Sequence, residues 1–275
     1  MRLKEIKQSL ARWMPQHRIQ PSMKHRYFNI IAERNIIRCK CYYRSLKKIN
    51  TVVLYAHGFG GHKDNRAAEK FAKRVLERNK HMLVLAFNWP CHGDDVKKEL
   101  SLGLCDTYLR EILKFIRTSY APEHLFGYAT SFGGYLYLKY IHDHGMPFER
   151  AALRCPAVPM YDVLTKTIMK EPELALASQG NTVLVGFDRK VPVTKAFLEE
   201  LRATDLRLYD YQANRNELLI LQGLIDEVVP PDAVMSFAEQ NQIRCIPIEN
   251  ADHRFRKQKA MNRAIREIIR FFQLQ

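Results

Sequence analysis

The apolar positions of this chain follow two rhythms in turn. Residues 27–31 and 36–43 alternate apolar with polar side chains, which predicts two half-buried strands joined as a hairpin around residues 33–35. From residue 51 the alternation gives way to short runs that are apolar throughout. TVVLYA (51–56), HMLVLAF (81–87), HLFGYA (124–129), AALRCP (151–156), LLILQG (218–223) and IRCIPI (243–248) have the look of strands buried on both faces. Between them, residues 66–79, 101–119, 232–241 and 259–273 carry apolar side chains at helical spacing, such as Ala68, Phe71, Ala72 and Val75 in the first. The stretch 131–141 is apolar almost all round and predicts a buried helix. Strands alternating with helices predict an α/β fold, with a mostly parallel central sheet and helices on both faces.

Residues 157–215 break this rhythm. They hold Pro159, Pro172 and Pro192, scattered aromatics and several short helical patterns. A stretch of that length between two core strands predicts an inserted cap rather than a bare loop. The expected organisation is therefore a leader at 1–25, an α/β core at 26–156 and 216–275, and the cap at 157–215.

Composition adds few constraints. With 275 residues, 47% of them hydrophobic, the chain can bury a substantial core. No run approaches the roughly 18 apolar residues of a membrane span, and MRLKEIKQSLARW lacks the apolar stretch of a secretory signal, so a cytoplasmic location is expected. The six cysteines include no CxxC pair and are expected to be reduced, mostly buried thiols. Neither a metal nor an organic cofactor is expected, since paired ligands at finger-like spacing are lacking. Charge stands out more, at +15. Residues 1–50 hold thirteen Lys and Arg against Glu5 and Glu33, and a second basic cluster runs from Arg254 to Arg270. Such a field can attract an anionic membrane surface, nucleic acid or acidic substrates. A solvated basic surface is the preferred reading, and the oligomeric state is left open.

The chemistry concentrates where strands end. In Gly127-Tyr-Ala-Thr-Ser-Phe-Gly-Gly134, Ser131 falls between a strand and a buried helix. A serine on so sharp a turn has its Oγ pushed above the sheet, and the residues two before and two after must be small because the backbones nearly touch. Ala129 and Gly133 meet that rule. The helix N-terminus beneath Ser131 favours an oxyanion. A nucleophilic serine needs a base, and the base an orienting carboxylate. Asp226 follows the strand at 218–223 and His253 follows the strand at 243–248, the order Ser, Asp, His expected of this topology. Glu227 is the competing acid. The glycine-rich Tyr55-Ala-His-Gly-Phe-Gly-Gly61 can aim the Phe59 N–H at the nucleophile, with the Phe132 N–H as the second donor of an oxyanion hole. It fits neither the phosphate loop nor G-x-G-x-x-G, because Lys63 stands where the last glycine belongs. His57 and His92 read as structural residues of their loops.

Together HGFGG, CHGDD, ATSFGG, QGLIDEVVP and ADHRF resemble the α/β-hydrolase superfamily, in particular its small serine esterase branch of monoglyceride-lipase-like and feruloyl-esterase-like enzymes. The resemblance spans roughly residues 51–273. It implies a triad of Ser131, Asp226 and His253, backbone oxyanion donors at Phe59 and Phe132, and a small-molecule ester substrate cleaved through an acyl-enzyme. Thioesterase, amidase and peptidase activities use the same machinery, and a non-catalytic protein binding an anionic partner is the reading from another class. The departures are Ala129 for the first glycine of G-x-S-x-G, and Asn88-Trp-Pro-Cys-His-Gly where the branch often has an Arg-Gly-His-Gly-like turn.

Overall fold

The computed structural model of the chain describes residues 22–32 and 35–274. Most of the basic leader and the middle of the expected hairpin turn lie outside them. One sheet carries, in spatial order, β1 (Lys24–Ala32), β2 (Asn35–Tyr43), β4 (Met82–Phe87), β3 (Thr51–Ala56), β5 (His124–Thr130), β6 (Arg150–Arg154), β9 (Leu218–Gly223) and β10 (Arg244–Ile248). The first two strands form the alternating hairpin, and β2 meets β4 antiparallel. Every later pairing is parallel. β1 begins at Lys24, just inside the segment read as leader.

The continuous apolar runs of the inner strands make sense once both faces are covered; the edge strand β10 departs from this, with Arg244 and Pro247 exposed, because no strand lies beyond it. In β3, Val52, Leu54 and Ala56 join one apolar cluster, while Val53 and Tyr55 join the other. Successive side chains of a strand point to opposite faces, so a strand between two helical layers must be apolar at every position. On one face lie α1 (Arg66–Leu76) and, from the end of the chain, α7 (Gln258–Phe271); Phe71, Val75, Ile265 and Ile268 are buried there. On the other lie α2 (Leu102–Ser119), α3 (Phe132–His144) and α6 (Pro231–Gln240), burying Ile112, Leu138 and Phe237. β6 stops at Arg154, short of the 151–156 run, because Cys155 takes a φ of 47°, a left-handed conformation that no ladder continues.

Between β6 and β9 the chain leaves the sheet. A helical turn at Met160–Asp162 runs into a π-helical turn at Val163–Ile168, followed by α4 (Glu171–Ser178). A two-stranded hairpin of β7 (Val183–Val185) and β8 (Val191–Val193) comes next, then α5 (Lys195–Ala203). The hairpin is the element that periodicity does not announce: its strands are three residues long, and Pro192 sits in the second. Val185, Val193, Phe197 and Leu201 are buried in the same apolar cluster as α2 and α3, so the inserted segment packs on the core. Among the described residues, no helix is long and apolar enough to cross a membrane. All six cysteines are free, and Cys39 and Cys41 are buried side by side on β2.

Candidate active site

Ser131 stands between β5 and α3 with φ 52° and ψ −120°, a conformation that L residues rarely adopt. The turn is clamped from both sides. The Ser131 N–H donates to Arg154 O at 3.0 Å, and its carbonyl accepts from the N–H of Ala157 at 3.2 Å and of Tyr135 at 3.1 Å. The smallness rule holds in atomic terms. A Cβ added at Gly133 would lie 2.7 Å from the carbonyl oxygens of Ala56 and His57, and one at Gly58 would lie 2.9 Å from Ser131 Cβ. Ala129, buried in β5, fits where the usual motif has glycine.

The loop after β9 carries Asp226, whose side chain is wholly buried. Its Oδ1 accepts from the Val228 and Val229 N–H groups at 2.9 and 2.8 Å, and its Oδ2 lies 2.9 Å from His253 Nδ1. Gln222 Nε2 adds a longer contact at 3.3 Å. Burial alone pushes the carboxyl upward in pKa. The hydrogen bond and charge of His253 and the two backbone donors outweigh it and hold Asp226 below the ordinary carboxylate range. Glu227, the competing acid, points elsewhere: it accepts from the His253 backbone N–H at 3.0 Å and pairs with Arg256. The carboxylate at the imidazole is therefore Asp226, while Glu227 ties down the loop that carries it.

On the other side of Ser131, the 57–61 loop brings Gly58 against the serine and stacks Phe59 edge-on to Phe132, ring centroids 5.9 Å apart. Phe132 opens α3, so its N–H belongs to the first turn, whose amides have no partner within the helix. His57 and His92 stiffen this loop. His57 Nδ1 bonds Gly58 O at 2.8 Å, its Nε2 accepts from the Trp89 N–H, and Trp89 Nε1 returns a bond to His57 O. His92 Nδ1 bonds Pro90 O, and its ring stacks on Phe132. Lys63 pairs with Asp94 in the turn where Asn88 also accepts the Lys63 N–H.

Ser131 and His253 border one cavity of about 740 Å³, a size that holds a small organic molecule. Its rim includes Asp188 and Arg189 from the β7–β8 turn, so the inserted segment helps to shape it. Two neighbours of the site carry no signal in the sequence. Arg154 ends β6 beside Ser131 and lines the cavity, yet in sequence it reads as one residue of a strand. Cys155 reads as an ordinary buried thiol, but its Sγ lies within 4.8 Å of the donor atoms of Asp226 and His253. Those three are, among the described residues, the one group with metal-ligand character. Burial and the neighbouring Asp226 charge keep the Cys155 thiol protonated, and Asp226 already accepts from His253 and two amides, which makes the set a poor cation cage. At the end of α3, His142 bonds Asp143 and His144 bonds Asp106.

The fold is that of the α/β serine hydrolases. A family model of the prolyl oligopeptidase family matches residues 111–275, more than half of the chain, and the chain belongs to that family. Among solved structures, a putative hydrolase from Agrobacterium vitis S4 is similar at 15% identity, covering 91% of this chain and 99% of that one with a TM-score of 0.69. Est1E from Butyrivibrio proteoclasticus with bound ferulic acid is similar at 13% identity, 90% and 99% coverage and a TM-score of 0.67. Mouse alpha/beta hydrolase domain-containing protein 10 is similar at 15% identity, 91% and 98% coverage and a TM-score of 0.63. At such identities these likenesses concern the fold. Among curated protein sequences nothing matches.

Proposed function

We propose that this chain hydrolyses a carboxylic ester through an acyl-enzyme formed on Ser131. The observation that carries the proposal is the His253–Asp226 couple at 2.9 Å, with His253 bordering the same cavity as a serine on a strained turn. Asp226 fixes the imidazole with its proton on Nδ1, which leaves Nε2 free to accept the Ser131 hydroxyl proton. Oγ attacks the ester carbonyl carbon, and the oxyanion accepts from the Phe59 and Phe132 N–H groups. The tetrahedral species expels the alcohol, which takes the proton from Nε2. Water, deprotonated by the same nitrogen, then releases the acid and restores Oγ–H. The likeness to Est1E supports an ester, and the similarity of motifs to the esterase branch points the same way.

The family match favours a second reading, in which the same residues cleave a peptide bond. An active-site-directed fluorophosphonate, followed by turnover of matched p-nitrophenyl esters and p-nitroanilides, separates the two. The wild type is expected to be labelled on Ser131 and to prefer the esters. The Ser131→Ala protein should lose all labelling and about 10⁴–10⁶-fold in turnover, since the covalent route vanishes while binding remains. A folded Ser131→Ala protein with full activity would remove the nucleophile and the mechanism with it.

A further inference from the structure

Arg154 is a charge out of place. Its residue is 6% exposed, yet among the described residues no carboxylate pairs with its guanidinium and Nε finds no acceptor. What Nη1 reaches is weak: Arg254 O at 3.5 Å and Met261 Sδ at 3.7 Å, with the guanidinium above the Phe255 ring at 5.1 Å. Burying an unpaired guanidinium is expensive, and an apolar side chain of similar size would serve packing better. The cost makes sense if the group that completes the pair arrives from the cavity that Arg154 lines beside Ser131.

The rest of that cavity has the same bias. Six Lys or Arg side chains border it against the single carboxylate of Asp188. Arg254 is paired to Asp188, and Arg256 to Glu227 and Asp252. Arg66, Lys70 and Arg189 have no carboxylate partner among the described residues. Arg66 and Lys70 belong to α1, an eleven-residue helix whose N-terminus also borders the cavity, with Asn65 capping the Ala67 N–H. A helix N-terminus favours negative charge, and here it faces the same space as the buried arginine.

We propose that the substrate carries an anionic group, a carboxylate or phosphate, on one half of the cleaved ester, and that Arg154 is its specificity-determining partner, with Arg66 and Lys70 drawing it in. The proposal rests on the serine-hydrolase reading given above. Arg154 donates from a planar fork that suits either anion, and at low exposure such a bond is strengthened by the lack of competing water.

The test uses the full chain and two ester pairs of nearly equal size: p-nitrophenyl butyrate against p-nitrophenyl hemisuccinate, and phenyl acetate against 4-carboxyphenyl acetate. In at least one pair, the ratio of kcat/KM for the anionic over the neutral ester should exceed about ten at low salt and fall as salt is added. Inorganic phosphate should compete with the neutral ester. Arg154→Met should lower the ratio about 10–100-fold, the worth of a hydrogen bond to a charged group. If Arg154→Met does not fold, the exposed pair Arg66→Ala with Lys70→Ala should still lower it severalfold. Arg263→Ala, an equal charge loss on α7 away from the cavity, should leave the ratio alone. A ratio at or below one in both pairs, in wild-type protein that the fluorophosphonate labels, overturns the proposal and leaves the hydrolase reading standing. Equal losses on both esters in Arg154→Met also overturn it, because they would mean that Arg154, which lies close enough to feel the buried Asp226 charge, acts on that carboxylate and not on the substrate. Failure of the probe to label the wild type removes the hydrolase reading and this proposal together.

Discussion

Single side chains decide the chemistry here, and two adjacent acids show how. Asp226 and Glu227 are equally good carboxylates in a string of letters, and choosing the first after the strand is only an ordering argument. Geometry supplies the reason. The Asp226 carboxylate turns inward to His253 Nδ1 and two amides, whereas Glu227 holds the His253 backbone from outside. Asp226→Asn is therefore expected to keep the fold and lose about 10⁴-fold in ester turnover, since an amide favours the wrong imidazole tautomer. Glu227→Gln should cost far less, and the reverse ranking in steady-state assays would exchange their roles. Buried histidines give a second expectation at this scale. Burial pushes His92 down to about 4 from 6.5, and burial together with the His92 charge pushes His57 well down too. A depressed histidine is neutral when folded and protonated when unfolded between those values. Unfolding then gains protons, so stability is lost as pH falls from about 6.5 towards 4, on the order of 3 kcal/mol for His92. Urea midpoints at pH 7 and pH 5 should show the loss, and His92→Asn should shrink it. Midpoints independent of pH would contradict the buried neutral ring.

At the scale of elements, the turn from β5 into α3 is where local sequence and tertiary contact agree most closely. Ser131 was legible because its neighbours are small, and they are small because β3 passes within contact of the helix start. Gly133→Val should cost about 1–3 kcal/mol and displace the serine, because the new side chain meets two fixed carbonyls. Thermal unfolding and probe labelling would reveal both effects, and a Gly133→Val protein that labels at the wild-type rate would refute the close approach. The strands and helices of the sheet could be read because each has five or more residues in one periodicity. The β7–β8 hairpin could not, since three residues hold too little pattern and Pro192 reads as a break. Arg154 and Cys155 were invisible for another reason. They end and follow a strand whose register brings them to the site only when β5 and β9 lie on either side, a pairing between residues far apart in sequence.

For the molecule as a whole, the excess of positive charge seen in composition acquires a location. Part of it gathers around the cavity on Arg66, Lys70, Arg154 and Arg189, where composition alone preferred a solvated basic surface and left acidic substrates, an anionic membrane surface or nucleic acid as alternatives. The inserted segment has a further bearing. Its Val185, Val193, Phe197 and Leu201 share one apolar cluster with Val52, Leu54 and Ile112 of the sheet and its helices. A flap that merely rested on the surface could melt ahead of the rest and be deleted to leave an open enzyme. This one shares its interior with the sheet, so calorimetry should record a single heat-absorption peak for both, with equal calorimetric and van't Hoff enthalpies. Deleting residues 157–215 would strip one wall from the protein's interior, and the trimmed chain should precipitate or bind hydrophobic dyes instead of working faster.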